Sequence, residues 1–260
     1  MTRYALGVEY NGSRFCGWQV QAGVATVQEE VERAIREVAN HEVRVVTAGR
    51  TDTGVHALGQ VIHFESASLR PRRAWVQGVN SNLPEGVVVT WARQVPDDFH
   101  ARFSASGRAY RYIMLTRSVR PTVLADRVTW THERLERDKM RHAARCLVGR
   151  HDFSAYRSVH CQSRQPIRYV RKLSIGQKGL WTWFDIEADG FLHHMVRNIA
   201  GVLMTIGSGA QDVAWAREIL ESRDRRQGGV TAPADGLYLT GVQYPSRFHI
   251  PDPPEPLSFW

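Results

Sequence analysis

Lysine is nearly missing from this chain: of 34 basic side chains in 260 residues, three are lysine and 31 are arginine. Cysteine is scarce too. Cys16, Cys146 and Cys161 are odd in number and widely spaced, which excludes a disulfide framework and a CxxC metal or redox pair. No HExxH occurs, and the adjacent His193 and His194 are expected to turn to different sides of a helix, so no metal site is expected. Neither a GxGxxG after the first strand-like segment nor a GxxxxGK[ST] is present. That argues against a nucleotide cofactor, and no other cofactor is expected. No apolar run approaches the roughly 18 residues of a membrane helix, and the first residues lack the apolar stretch of a signal peptide. The expectation is a soluble, cytoplasmic chain without membrane contact.

What remains is ordinary globular material, 43% apolar and 23% charged, long enough for one to two domains. Its charge is unevenly placed. Residues 1–100 carry 10 basic and 11 acidic groups, whereas residues 101–260 carry 24 and 15. Within 134–172 there are 11 basic groups against three acidic ones. A basic second half points to a polyanionic partner, with solvated helix faces as the alternative. Arginine's planar fork suits phosphate recognition, although a preference for arginine also follows from genome composition or growth temperature.

Strand-like and helix-like segments alternate along the chain. Tyr4–Tyr10 reads as a strand ending in the turn Asn11-Gly12-Ser13. Thr26–Ala39 is the clearest helix, with Val27, Val31, Ala34, Ile35 and Val38 on one face and a capping-box pattern from Thr26 to Glu29. Further strands are expected at 43–47, 60–64 and 86–95, with a short helix at 71–79 and a linker from Pro96 to about Ser106. The second half repeats the rhythm with strands at 110–116, 167–174, 180–188 and 236–242. Its helices are expected at 134–148, 191–206 and 213–220, and the proline-rich tail is expected to be irregular. The reading is an α+β protein of two halves, residues 1–100 and 101–260.

One segment stands apart. Gly49-Arg50-Thr51-Asp52-Thr53-Gly54-Val55-His56-Ala57 places a carboxylate between two glycines just after a strand. Glycine permits unusual backbone angles and close approach of another molecule, so Asp52 is either presented into a cleft or held in an ordinary Asx or ST turn. With this motif come Tyr10-Asn11-Gly12-Ser13, Gly17-Trp18-Gln19, Phe99-His100-Ala101-Arg102-Phe103, Tyr110-Arg111-Tyr112, Asp152-Phe153, His193-His194-Met195-Val196-Arg197-Asn198 and Gly236-Leu237-Tyr238-Leu239. In that order, over nearly the whole chain, they resemble the TruA-type family of tRNA pseudouridine synthases.

The resemblance implies a pseudouridine synthase fold, two similar α/β halves forming a central, mostly antiparallel sheet with an intervening cleft. The first half would carry the catalytic loop, and the basic second half would supply tyrosine, arginine and apolar pocket residues. By the same resemblance Asp52 is the catalytic aspartate and Arg197 the partner of its carboxylate. Tyr110 stacks on the base, Leu237 lines the uracil pocket, and Arg50 holds the extruded nucleotide. The implied substrate is the tRNA anticodon stem-loop at uridines 38, 39 and 40, and the implied assembly is a homodimer. The isomerisation breaks N1–C1′ and joins C5 to the same carbon without redox change, so no cofactor is needed. A carboxylate suits it as nucleophile or electrostatic catalyst. Arg14, Arg102, Arg108, Arg111, Arg157, Arg164 and Arg168 are candidate contacts to the RNA backbone. His56 and His63 are expected to be structural. The rival readings are a synthase for another RNA, a non-catalytic RNA chaperone and an oxidoreductase.

Overall fold

In the computed structural model, which describes residues 1–260, the chain divides into two units. Unit 1 comprises Met1–Ser106 and Tyr238–Leu257; unit 2 comprises Gly107–Leu237 and Ser258–Trp260. The architecture is mixed α+β, with mostly antiparallel strands and flanking helices, as the alternating pattern of the sequence led us to expect.

In unit 1, β1 (Thr2–Tyr10) lies between β3 (His56–Ser66) and β4 (Val87–Gln94), antiparallel to both, while the short β2 (Val46–Thr47) pairs with β3 at His63 and Ile62. A strand with neighbours on both edges and cover on both faces reads as a continuous apolar run, and Tyr4–Val8 is buried throughout. Helix α1 (Val27–Ala39) buries Val27, Val31, Ala34 and Ile35, the face read from the sequence, although Val38 stays half-buried. Its expected capping box does not form. Thr26 is the N-cap residue, but its side chain makes no cap bond and its buried Oγ1 has no partner. The first helical amides donate instead to main-chain carbonyls, Val27 N–H to Gly17 at 3.2 Å and Gln28 N–H to Trp18 at 3.0 Å. A nearby loop has taken the role that a capping side chain ordinarily fills.

A ladder of rings runs outward through the same unit. Buried Phe248 meets Phe99 at 5.1 Å, Phe99 meets His63 edge-on at 6.0 Å, and His63 meets His100 at 4.8 Å. His63 Nδ1 accepts the Ala101 N–H at 3.1 Å, so the ring is used structurally and in its neutral form. Burial, reinforced by the charges of His100 and Arg3, lowers its pKa from 6.5 to about 4.

Unit 2 is built on β5 (Gly107–Thr116), β6 (Thr129–Thr131), α2 (Arg137–Ala144), β7 (Gly149–Asp152), β8 (Ile167–Lys178), β9 (Trp181–Ala188), α3 (Met195–Gly207) and α4 (Trp215–Ser222). Its strands run β5–β9–β8–β7, antiparallel throughout, with β6 added in parallel to β5. β9 alternates strictly, burying Thr182, Phe184, Ile186 and Ala188, the period-two signature of a sheet with one covered face. Strands β6 and β7 are too short to show such a period, which is why the sequence did not reveal them. Helix α2 is shorter than the 134–148 expected, giving way at its end to a 3₁₀ turn, Arg145–Leu147.

Helix α3 packs against α2 and α4. It starts at Met195 rather than Phe191, because His194 is left-handed at φ 62°. His193 and His194 therefore precede the helix instead of facing different sides of it, and their rings meet at 4.0 Å. The last strand, β10 (Leu237–Gln243), returns from Tyr238 onward to unit 1 and pairs in parallel with β3. That pairing begins at Tyr238↔His56, so β3 starts at His56 rather than at Gln60, as local pattern had suggested.

Two predictions follow from these contacts. Between about pH 6.5 and 4 the unfolded chain binds a proton at His63 that the native chain refuses, so this contribution to stability is complete above pH 6.5 and lost toward pH 4. Urea midpoints measured stepwise across that window should fall, and His63→Gln should flatten the slope. The second concerns Gly201, where a Cβ would lie 1.9 Å from the Val230 carbonyl oxygen. Alanine favours a helix by about 1 kcal/mol over glycine, but overpacking costs about 1–3 kcal/mol. Since the obstacle is backbone, Gly201→Ala should lower the urea midpoint; an unchanged or raised midpoint would show that the Val230 segment yields.

Candidate active site

Asp52 stands at the turn of loop 48–55, between β2 and β3 of unit 1, and is half-buried. Each flank of the loop is fixed by a buried polar partner. The Gly49 carbonyl accepts from Gln60 Nε2 at 2.7 Å, and the same amide donates to the Tyr10 hydroxyl at 3.3 Å. Tyr10 shares a 2.7 Å hydrogen bond with Thr51 Oγ1, and the Thr51 carbonyl accepts the Trp18 N–H at 3.0 Å. Burial pushes the Tyr10 pKa up to about 12, against the lowering effect of the bonds to Thr51 and Gln60, so its proton stays available to the network. The turn closes through the main chain, Val55 N–H to Asp52 carbonyl at 3.1 Å. Gly17 has φ +83° and a Cβ there would lie 2.9 Å from the Thr51 oxygen, so only glycine lets that strand of backbone come so close. His56 accepts the Gly12 N–H through Nδ1 at 3.1 Å and stacks on Tyr238 at 4.6 Å. It acts as an anchor for the loop's far end.

Tyr110, Arg197 and Leu237 all belong to unit 2, and a single segment, 231–237, ties their surroundings together. Tyr110 lies on β5, 9% exposed, with Phe191 edge-on at 5.1 Å. Tyr112 lies two residues on and thus on the same face. Its hydroxyl shares a 2.6 Å bond with Thr129 and donates to the Pro233 carbonyl at 2.9 Å. Burial raises its pKa well above the tyrosine value. These bonds commit the Tyr112 hydroxyl to the interior of unit 2.

Arg197, in the first turn of α3, donates from Nε to the Ala232 carbonyl at 2.9 Å, and its own carbonyl accepts the Ala232 N–H at 3.1 Å. Beside it, buried Asn198 donates to the Tyr156 carbonyl at 2.8 Å and accepts from Thr231 Oγ1 at 2.7 Å and Arg225 Nη2 at 3.2 Å. Leu237 is buried, and its N–H closes a turn onto the Ala234 carbonyl at 2.8 Å. Within that turn, burial and the neighbouring Asp126 raise the Asp235 pKa, while Arg197 opposes them.

The remaining arginines fare differently. Arg50 and Arg164 are exposed, and Arg102 is exposed beside Phe103. Arg14 forms a surface pair with Glu85 at 2.9 Å. Arg111 forks onto Asp185, its cross-strand partner, with Nε at 2.7 Å and Nη2 at 2.9 Å. That bidentate geometry engages Arg111 inside the protein. Arg108 donates to the Asp189 carbonyl at 3.1 Å, and Arg157 to that of Ser163 at 3.4 Å. Arg168 donates to Gln165 and Ile167 carbonyls and to Ser163 Oγ, and burial lowers its pKa. Sequence reasoning quoted Tyr10, Thr51 and Asn198 as motif members without a role for each, and passed over Gln60, Thr231 and Arg225 as site residues. Polar residues with buried partners far along the chain carry no local signal.

Comparison with known proteins is consistent across the chain. A family model described as "tRNA pseudouridine synthase" matches residues 7–104 and 143–245. The "tRNA pseudouridine synthase A" of Pseudomonas aeruginosa is 53% identical over 253 residues, covering 97% of this chain and 89% of that protein. The protein of the same name from Alcanivorax borkumensis is 52% identical over 255 residues, covering 98% and 96%. That from Nitrosococcus oceani is 52% identical over 258 residues, covering 99% and 100%. With a family model spanning most of the sequence and relatives identical at half of all positions, this chain belongs to the tRNA pseudouridine synthase family and is an enzyme of that class.

Proposed function

We propose that this enzyme isomerises uridine to pseudouridine at positions 38, 39 and 40 of the tRNA anticodon stem-loop, with Asp52 as its essential carboxylate. The observation that carries the assignment is the fixing of Asp52's neighbours: Gly49 by Gln60, and Thr51 by Tyr10 and Trp18. A reactive group delivers its effect in proportion to how well its position is set before the substrate arrives. An aspartate of an ordinary solvated turn needs no such support.

Bond by bond, N1–C1′ breaks, the uracil turns, C5 bonds to C1′, and the proton lost from C5 is balanced by one gained at N1. The carboxylate attacks C1′, attacks C6, or assists elimination toward a glycal; each route requires it ionised. The resemblance assigns Arg197 as its partner, a role that favours the charged form. The bond from Nε to Ala232 sets the plane of that guanidinium. Tyr110, braced by Phe191, stacks on the flipped uracil. Stacking contributes about 1–3 kcal/mol against an unstacking cost of a few kcal/mol. Leu237 forms an apolar wall, and Arg50 holds the extruded nucleotide. Arg102 and Arg164, both exposed, are among the candidates to reach phosphate, and such contacts position the RNA without naming a base. The enzyme works in the cytoplasm as a homodimer.

Pseudouridine mapping on unmodified tRNA tests the reading. Wild-type protein should convert uridines at 38–40, and Asp52→Asn should bind tRNA and fold normally yet form no product; near-normal turnover by that variant refutes the catalytic assignment. Conversion elsewhere would keep the chemistry and change the target. Tyr110→Phe keeps the ring and should lower kcat more than it raises KM if the hydroxyl moves a proton; unchanged kinetics would leave the tyrosine a stacking role only.

A further inference from the structure

The ring ladder of unit 1 does not stop at His100. Phe103 stacks on the His100 imidazole at 4.4 Å with 27° between the planes, and it is 76% exposed. A lone apolar side chain at a surface needs no explanation. This one differs in how firmly it is held. His100 Nδ1 accepts both the Arg102 N–H at 3.2 Å and the Phe103 N–H at 3.1 Å. The Ser104 N–H donates to the His100 carbonyl at 2.8 Å, and its hydroxyl accepts the His100 N–H at 2.9 Å. Below, the Ala101 carbonyl accepts the Tyr244 hydroxyl at 2.6 Å. Burial, helped by the charges of Arg3 and Arg102, lowers the His100 pKa, which keeps Nδ1 an acceptor. One face of the Phe103 ring is therefore fixed on a ladder that reaches the core, and the ring as a whole stays open to solvent. The Arg102 guanidinium lies over the ring, its Cζ offset to 5.5 Å from the centroid.

An exposed, firmly held aromatic ring with a guanidinium of its own is suited to an unstacked nucleobase and its phosphate. The ring takes the base's π-face without regard to sequence, and the cation adds attraction. Because the turn is already ordered, little conformational freedom is lost on binding. We propose that Phe103, with Arg102 beside it, is a second base-stacking site of this enzyme, which receives an unpaired base of the tRNA other than the uridine being isomerised. This rests on the reading of the chain as a tRNA-modifying enzyme. It adds a contact that serves binding of the RNA and leaves the chemical step alone.

The test uses the full-length protein and unmodified tRNA, with Phe103→Ala, Phe103→Tyr and Phe103→Leu beside wild type. Dissociation constants come from anisotropy of end-labelled tRNA, and KM and kcat from initial rates of pseudouridine formation. Urea melts and sedimentation check fold and mass. Phe103→Ala should raise Kd and KM together by about 5- to 150-fold, the range that one base stack corresponds to, with kcat unchanged, the pattern of lost uniform binding. Tyrosine should restore affinity and leucine should not, since leucine supplies area without a π-face. Unchanged Kd in Phe103→Ala overturns the proposal, and so does full rescue by leucine. A change of sedimenting mass with tRNA affinity unaltered also overturns it and makes Phe103 a contact between copies of the chain. If wild type binds tRNA but forms no pseudouridine, the catalytic reading fails, while the Kd series still decides the stacking site.

Discussion

The reciprocal bonding of Arg197 and Ala232 is the contact on which unit 2 depends. One residue gives its side-chain Nε to the other's carbonyl and takes the other's amide on its own carbonyl. A helix and an irregular segment are thereby joined with no side chain needed from the segment. Around this pair the other constraints fall into place. Gly201 lets α3 approach the Val230 carbonyl, Tyr112 holds Pro233, and Asn198 with Arg225 holds Thr231. An irregular segment carries amides and carbonyls that no ladder satisfies, and here α3 and β5 supply the partners. Leu237 follows directly, so its placement is inherited from that lacing.

Unit 1 solves the same problem in another way. Its loop at Asp52 is fixed by single buried polar side chains, Tyr10 and Gln60, reaching from neighbouring strands, and by the Trp18 N–H. Buried hydrogen bonds of this kind add only about 1 kcal/mol each to stability, yet leaving either partner unpaired costs more. They determine the loop's shape more than they hold the fold.

Much of this was readable before the structure. Period two in β9 and the apolar face of α1 follow from local spacing, and the ordered motifs from Tyr10 to Leu239 led to the family. The residues the sequence hid share a cause. Thr26 has the type and spacing of a capping residue, but its role was taken by carbonyls at Gly17 and Trp18 that no local pattern announces. His56 opens a strand only because Tyr238 pairs with it from the far end of the chain. The Tyr112 hydroxyl finds its partner at the Pro233 carbonyl, 121 residues further along the chain. In each case the deciding partner lies outside the local repeat of helix or strand, at the far end of the chain for His56 and ten residues back for the start of α1.

That replacement of the cap has a further meaning. The loop at Gly17 and Trp18 accepts the first amides of α1 with its carbonyls and, through the Trp18 N–H, holds the Thr51 carbonyl. The start of a buried helix and the loop of Asp52 are thus joined through two residues of backbone. Segments that share hydrogen bonds tend to belong to one cooperative unit. Opening the loop at Thr51 therefore also breaks a bond to the backbone that starts α1. Movement of the Thr51 end of that loop is tied to the backbone at the start of α1 and is not left to a free surface turn.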